Sequence, residues 1–327
     1  MSIPRSAGIV VQDGYDCRTS NAYLTTRLGY LHGFRKIGMG AAFVEHGALA
    51  HWIDAQPSLP VLWLTYDDYR FLDESALEAV RACPHIVQVN TWFEGMGAVH
   101  KQFNAPDPHI PEALQTRISD SRPDFVWCSA PEPYQEFYQG WKDAGLKVVS
   151  LPWACDTETY YPVDGDRFSD VEMAFVGGYR AYKETQYKTR LWPYEERLKV
   201  WGYSEWPRCY QGYLPDEHEK ALYSQAHLCP TISEPQFYVT GDTVERPFKI
   251  MGSGGVTILD LPCYRELFTV DEALIAMYPV EYRVMVNALL KDPELCAKYR
   301  EAGHKAVLER HTYEHRARKV MKELGLC

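Results

Sequence analysis

Val244-Glu245-Arg246-Pro247-Phe248-Lys249-Ile250-Met251-Gly252-Ser253-Gly254-Gly255-Val256-Thr257-Ile258-Leu259-Asp260 decides how this chain of 327 residues is read. It has the pattern of a short helix opened by a proline, stopped by glycines and followed at once by a buried strand. Pro247 suits a first helical turn, where its missing N–H would have no partner anyway. Gly254 and Gly255 suit a left-handed C-cap, and the β-branched run Val256 to Ile258 fits an interior strand. Arg246 and Lys249, three apart, are expected on one face at the positive end of the helix dipole. After the loop Thr240-Gly241-Asp242-Thr243 such a pair suits a phosphate or diphosphate. The competing reading is a surface helix with two solvated charges.

Strand-like and helix-like patterns alternate along the rest of the chain, as in an α/β layer. Strand candidates in the first half are Ala7–Gln12, Ala41–Glu45, Val61–Thr65, Ile86–Asn90, Asp124–Cys128 and Lys147–Leu151. Helical periodicity marks Asn21 to Ile37, Glu74–Ala82, Pro111–Ser119 and Pro133–Ala144. Residues 152–170, rich in Asp, Pro and Tyr, form the expected domain boundary. The alternation then resumes with a helix near Glu217–Gln225, a strand at Leu228–Thr231 and helices near 281–291 and 293–309. Two such layers imply a cleft, and ligands of open α/β sheets sit at the carboxyl ends of strands.

Short motifs follow one another in order through the second half. Leu151-Pro152-Trp153-Ala154-Cys155-Asp156 and Tyr161-Pro162 come first, then Ala174-Phe175-Val176-Gly177-Gly178-Tyr179-Arg180 and Val200-Trp201-Gly202. Gly212-Tyr213-Leu214-Pro215, Leu222-Tyr223 with Ala226, Ser224 to Pro230 and Arg246–Gly255 follow, and His311-Thr312-Tyr313-Glu314-His315-Arg316 closes the set. Together they resemble the linker, donor-binding domain and closing helix of GT-B glycosyltransferases, most closely the CgeB-like branch of glycosyl transferases group 1. The resemblance implies an α/β protein of two Rossmann-like domains facing a central cleft. Residues 1–155 would bind the acceptor and 156–310 the nucleotide-sugar donor. A helix within 311–327 would pack back on the first domain.

Sugar transfer from a nucleotide needs the departing diphosphate neutralised, the base and ribose held, and usually a base for the acceptor hydroxyl. Preorganised cations and backbone N–H groups meet the first need. The resemblance implies donor contacts from Gly178, Tyr179, Arg180 and Lys183, from Trp201 and Gly202, and from Thr243, Glu245, Arg246 and Lys249. Arg246 is the first choice for the phosphates, since its fork can hold two oxygens at once. Lys249 departs from the family, which places there an acidic residue that holds the ribose hydroxyls. A lysine cannot accept those hydrogen bonds, so Glu245 or another acceptor would take over. Trp201 reads equally as a stacking residue and as core.

A catalytic base is expected from a first-domain loop, where an Asp or Glu within reach of the acceptor hydroxyl can take its proton. Asp13 and Asp16, after the first strand, are the leading candidates, followed by Asp67, Asp68 and Glu94. Asp67-Asp68 lacks the spacing of a DxD metal motif. The resemblance implies metal-independent transfer with no cofactor, the nucleotide-diphosphate sugar being a co-substrate.

The net charge of −10 disfavours a protein that grips nucleic acid through its phosphates. A cationic strip of Lys183, Lys188, Arg190, Arg197 and Lys199 would restore that possibility. The nine cysteines form no CxxC pair, as expected of reduced thiols in the cytoplasm. No apolar run reaches the roughly eighteen residues of a membrane helix, and the first residues lack a signal-peptide core. The leading expectation is a cytoplasmic hexosyl- or pentosyltransferase acting on a small metabolite, a glycan or a modified base. The alternatives are a glycosyltransferase for hydroxymethylated pyrimidines in DNA and a non-catalytic nucleotide-sugar-binding protein.

Overall fold

The structure, a computed structural model, describes residues 9–13, 21–45, 48–56, 61–64, 74–89 and 123–326. The chain divides into two compact units, Met1–Pro152 with Tyr313–Cys327, and Trp153–Thr312.

The first unit is built on a parallel sheet of six strands: β1 (Ile9–Asp13), β2 (Ala41–Glu45), β3 (Val61–Leu64), β4 (His85–Val89), β5 (Phe125–Cys128) and β6 (Val148–Ser150). Their spatial order is β2-β1-β3-β4-β5-β6. The chain leaves β1 to one side for β2 and returns to the other side for β3, so the order reverses at β1. All four residues of β5 are buried, as a parallel strand covered on both faces requires. The stretch 133–144, expected as one helix, is a 3-10 segment Glu132–Tyr138 running into a short α-helix, Gln139–Asp143. The candidate helix Pro111–Ser119 lies outside the described residues.

The last helix, Tyr313–Glu323, packs on Asn21–Lys36 in this unit. Close approach is possible because Gly29 and Gly33 face Tyr313, whose atoms a Cβ at either position would strike. The Tyr30 and Tyr313 rings meet edge-on at 4.9 Å. Buried Arg316 donates from Nε to the Pro152 carbonyl at 2.6 Å, and burial lifts the Tyr30 hydroxyl well above the usual tyrosine range.

The second unit carries β7 (Met173–Val176), β8 (Leu198–Trp201), β9 (Tyr210–Gly212), β10 (Ile258–Leu259) and β11 (Leu274–Ile275). β7, β8 and β9 form one parallel ladder, and β10 and β11 another. The extended segment 228–231 joins them. Leu228 bridges Met173 in parallel and accepts from Ala174 N at 2.9 Å, while Cys229 N donates to Val256 O at 2.8 Å. The order across the layer is therefore β9-β8-β7-(228–231)-β10-β11, the doubly wound arrangement whose order reverses between β7 and 228–231. Its core is apolar and aromatic, with Phe175, Val200, Trp206, Ile258 and Tyr282 among its buried members.

Arg246–Gly252 is a short helix with Pro247 in its first turn. Gly254 takes the left-handed conformation, with φ 74°. Gly255 does not; it is needed for space, since a Cβ there would strike the Tyr223 carbonyl. The following strand starts later than expected, at Ile258.

Candidate functional site

The second unit's reversal point lies at the turn Gly177-Gly178 after β7 and at Ile232-Ser233-Glu234 after the segment 228–231. Gly177 N donates to Trp201 O at 2.8 Å and Gly202 N to Gly212 O at 3.1 Å, so three strand ends close at one level. A Cβ on Gly202 would strike the Gly177 carbonyl, and one on Gly177 would lie 2.9 Å from Arg246 Nη2. Side chains fix the turn: Trp206 Nε1 donates to Gly177 O at 2.8 Å, and Tyr179 N donates to Ser204 Oγ at 2.7 Å. The Gly178 N–H has no hydrogen-bond acceptor among the described residues.

Three cations surround this turn. Arg246, half-buried, lies with its guanidinium carbon 4.7 Å from the Phe175 ring centroid. Its Nη1 reaches the Ile232 carbonyl at 3.5 Å, and no carboxylate of the described residues pairs with it. Arg180, exposed, donates to the Tyr203 hydroxyl and sits 5.4 Å from that ring's centroid. Lys183 is buried, with Nζ 2.5 Å from Glu234 Oε1. Burial lowers its pKa against the pull of Glu234, and the positive charge of Arg246 lowers it further. Three positive groups and one carboxylate give the turn a charge that suits an anion.

Lys249 is not part of it. A shared face with Arg246 was expected from their spacing, but the helix is buried from Pro247 to Gly252, leaving Arg246 as its only partly exposed residue. Lys249 lies inward, 3.2 Å from Glu245 Oε2 and 3.8 Å from Glu219 Oε2, with Nζ 4.9 Å from the Tyr160 ring centroid. Tyr160 and Tyr223 donate to Glu219 at 2.6 and 2.7 Å. Burial alone would depress the Lys249 pKa, but Glu219 and Glu245 together raise it. Glu245 is thereby held in a buried ionic cluster.

Thr243 is fully buried and accepts from Trp153 N at 3.1 Å, so it ties the linker to this loop. Trp201 is 8% exposed and packs edge-on against Phe168 at 6.0 Å, which makes it core. The five-residue cationic strip is neutralised or buried. Lys188, Arg197 and Lys199 pair with Glu184, Glu172 and Asp170, and Arg190 is buried with Nη2 on the Met277 carbonyl at 2.8 Å.

In the first unit Asp13 closes β1, at that sheet's own reversal point. Asp16, Asp67, Asp68 and Glu94 lie outside the described residues. Among the described residues no group of three or more His, Cys, Asp and Glu could hold a metal ion.

Residues 183–322 match the family described as glycosyl transferase-like. Solved structures resemble the chain over nearly its whole length. Sucrose-phosphate synthase from Thermosynechococcus elongatus is 12% identical with a TM-score of 0.65, covering 98% of both chains. T4 phage BGT in complex with UDP and Mn2+ is 11% identical, TM-score 0.61, covering 97% of this chain and 99% of that one. Anabaena HepE in complex with UDP is 10% identical, TM-score 0.57, covering 98% and 100%. The fold is that of the GT-B glycosyltransferases. No curated protein matches the sequence. No described helix is long and apolar enough to cross a membrane.

Within this GT-B layer several site residues carried no sequence signal of their own. Glu234 and Glu219 are distant in sequence from the lysines they hold, and Ser204 is an ordinary loop serine. Tyr203 had one clue, its place directly after Trp201-Gly202.

Proposed function

We propose that this protein is a cytoplasmic glycosyltransferase of the CgeB-like branch. In this reading it moves a hexosyl or pentosyl group from a nucleoside-diphosphate sugar to a hydroxylated acceptor, without a metal ion or bound cofactor. One observation carries the reading: Arg246, a half-buried cation with no carboxylate partner among the described residues, stands against the glycine turn at the layer's reversal point. The UDP in the BGT and HepE structures supports a uridine donor.

When the bond from the anomeric carbon to the phosphate oxygen breaks, the electron pair stays with the leaving nucleoside diphosphate. Arg246 and Arg180 stabilise that growing charge, and the Gly178 N–H hydrogen-bonds a phosphate oxygen. The acceptor hydroxyl attacks the anomeric carbon and gives its proton to a carboxylate, for which Asp13 and Asp16 remain the candidates. The place of Asp13 at a strand's carboxyl end supports it. Lys183 stays with Glu234, and Lys249 and Glu245 hold the loop from behind.

The neutralised cationic strip leaves the DNA reading without its support. A non-catalytic role drew on Lys249 as a donor contact that breaks the family pattern, and its inward position removes that argument. A thermal-shift series with UDP, GDP, ADP and UDP-sugars tests the proposal, because a ligand that binds only the folded state raises the melting temperature. At least one nucleoside diphosphate is expected to raise it, and the matching nucleotide sugar to be slowly hydrolysed. No shift from any of them overturns the reading.

A further inference from the structure

Tyr203 is 64% exposed, yet its ring is held against the glycine turn. A Cβ added to Gly178 would run into the ring's hydroxyl end. Arg180 holds the same end, donating to the hydroxyl with its guanidinium carbon 5.4 Å from the ring centroid. The Arg180 guanidinium and the side of the turn at the Gly178 α-carbon are therefore both engaged by one tyrosine. These are the groups an incoming diphosphate needs. Arg246 remains available in the same state, since no carboxylate of the described residues holds it.

We propose that Tyr203 and Arg180 form a clasp that closes the glycine turn in the free protein, and that a nucleoside diphosphate opens it by taking Arg180 from the tyrosine hydroxyl. The inference rests on the donor-binding reading above. Binding then occurs in two parts, with Arg246 engaging first and the clasp yielding second. The free energy of the closed contact is subtracted from the affinity, because only the open state is competent to bind fully. Removing the hydroxyl should therefore tighten binding. A group that merely touched the ligand would weaken it when truncated.

The experiment is calorimetric titration of wild type and Tyr203→Phe with UDP and, separately, with inorganic pyrophosphate. The exposed contact makes a modest effect the expected one, a fall in Kd of about twofold to fivefold for Y203F. The gain should appear with both ligands, because the contested groups face the phosphates. Tyr203→Ala should tighten pyrophosphate binding at least as much. An unchanged or raised Kd for UDP in a folded Y203F overturns the clasp while leaving the donor reading in place. So does a change seen with UDP and not with pyrophosphate, which would place the ring on the base. A wild-type protein that binds neither ligand overturns both.

Discussion

Replacing Arg246 with alanine tests the site most directly. Among the described residues the guanidinium makes no ion pair, only a long contact to Ile232 and a close approach to the Phe175 ring. Little folding free energy is at stake: roughly 0.5–1 kcal/mol for the approach to the ring, offset by relief from the nearby positive Lys183. Ligand binding should lose far more. A charge-assisted hydrogen bond contributes about 1.5–3 kcal/mol, and each ~1.4 kcal/mol is tenfold in affinity. A loss of about tenfold to 150-fold in UDP affinity follows. A Coulomb estimate of ~4 kcal/mol for charges about 4 Å apart at an effective dielectric near 20 puts the ceiling higher, at about 700-fold. Calorimetry at low salt measures the affinity, and a melting temperature close to wild type certifies the fold. Arg246→Lys should recover part of the loss, since it keeps the charge but not the two-pronged geometry. If R246A is folded and its Kd for UDP stays within twofold of wild type, the anion-receptor argument is wrong.

Lys249→Met takes the buried cation from Glu219 and Glu245 and should cost about 3–5 kcal/mol in urea unfolding, with UDP affinity of the folded variant unchanged. The Lys249 pKa is raised on folding, so its contribution is complete below the unfolded value of about 10.4 and is lost as pH rises through the higher folded value. The gap between wild type and K249M should be flat from pH ~7 to ~9 and shrink above ~10.4; a gap that grows there contradicts the assignment. Gly202→Ala should cost at least about 1–3 kcal/mol, because the new methyl meets backbone. Gly178→Ala should cost far less, because the nearest atoms it meets belong to an exposed ring that can swing away; equal losses in thermal denaturation would refute this. If the proton acceptor follows β1, Asp13→Asn or Asp16→Asn should lower turnover by about 10²–10⁴-fold with UDP affinity intact. Near-normal turnover in both moves the base elsewhere.

By itself the sequence determined the layers and their punctuation. Hydrophobic periodicity placed most strands because an interior parallel strand must be apolar on both faces, as β5 is. Pro247 and Gly254 marked the ends of a helix because those residues are favoured at those backbone positions. Gly177, Gly178 and Gly202 were legible as members of motifs, although the sequence did not name what approaches them. Tertiary structure alone decided which way the charges point. Arg246 and Lys249 look equivalent three residues apart, yet one faces the glycine turn and the other two buried carboxylates. Glu219, which helps draw Lys249 inward, comes from a different helix. Trp201 and Tyr203, two residues apart on either side of a glycine, divided into core and surface in the same way. Periodicity reports local geometry, whereas the burial of a charge or ring depends on partners brought from far along the chain, and no local pattern encodes them.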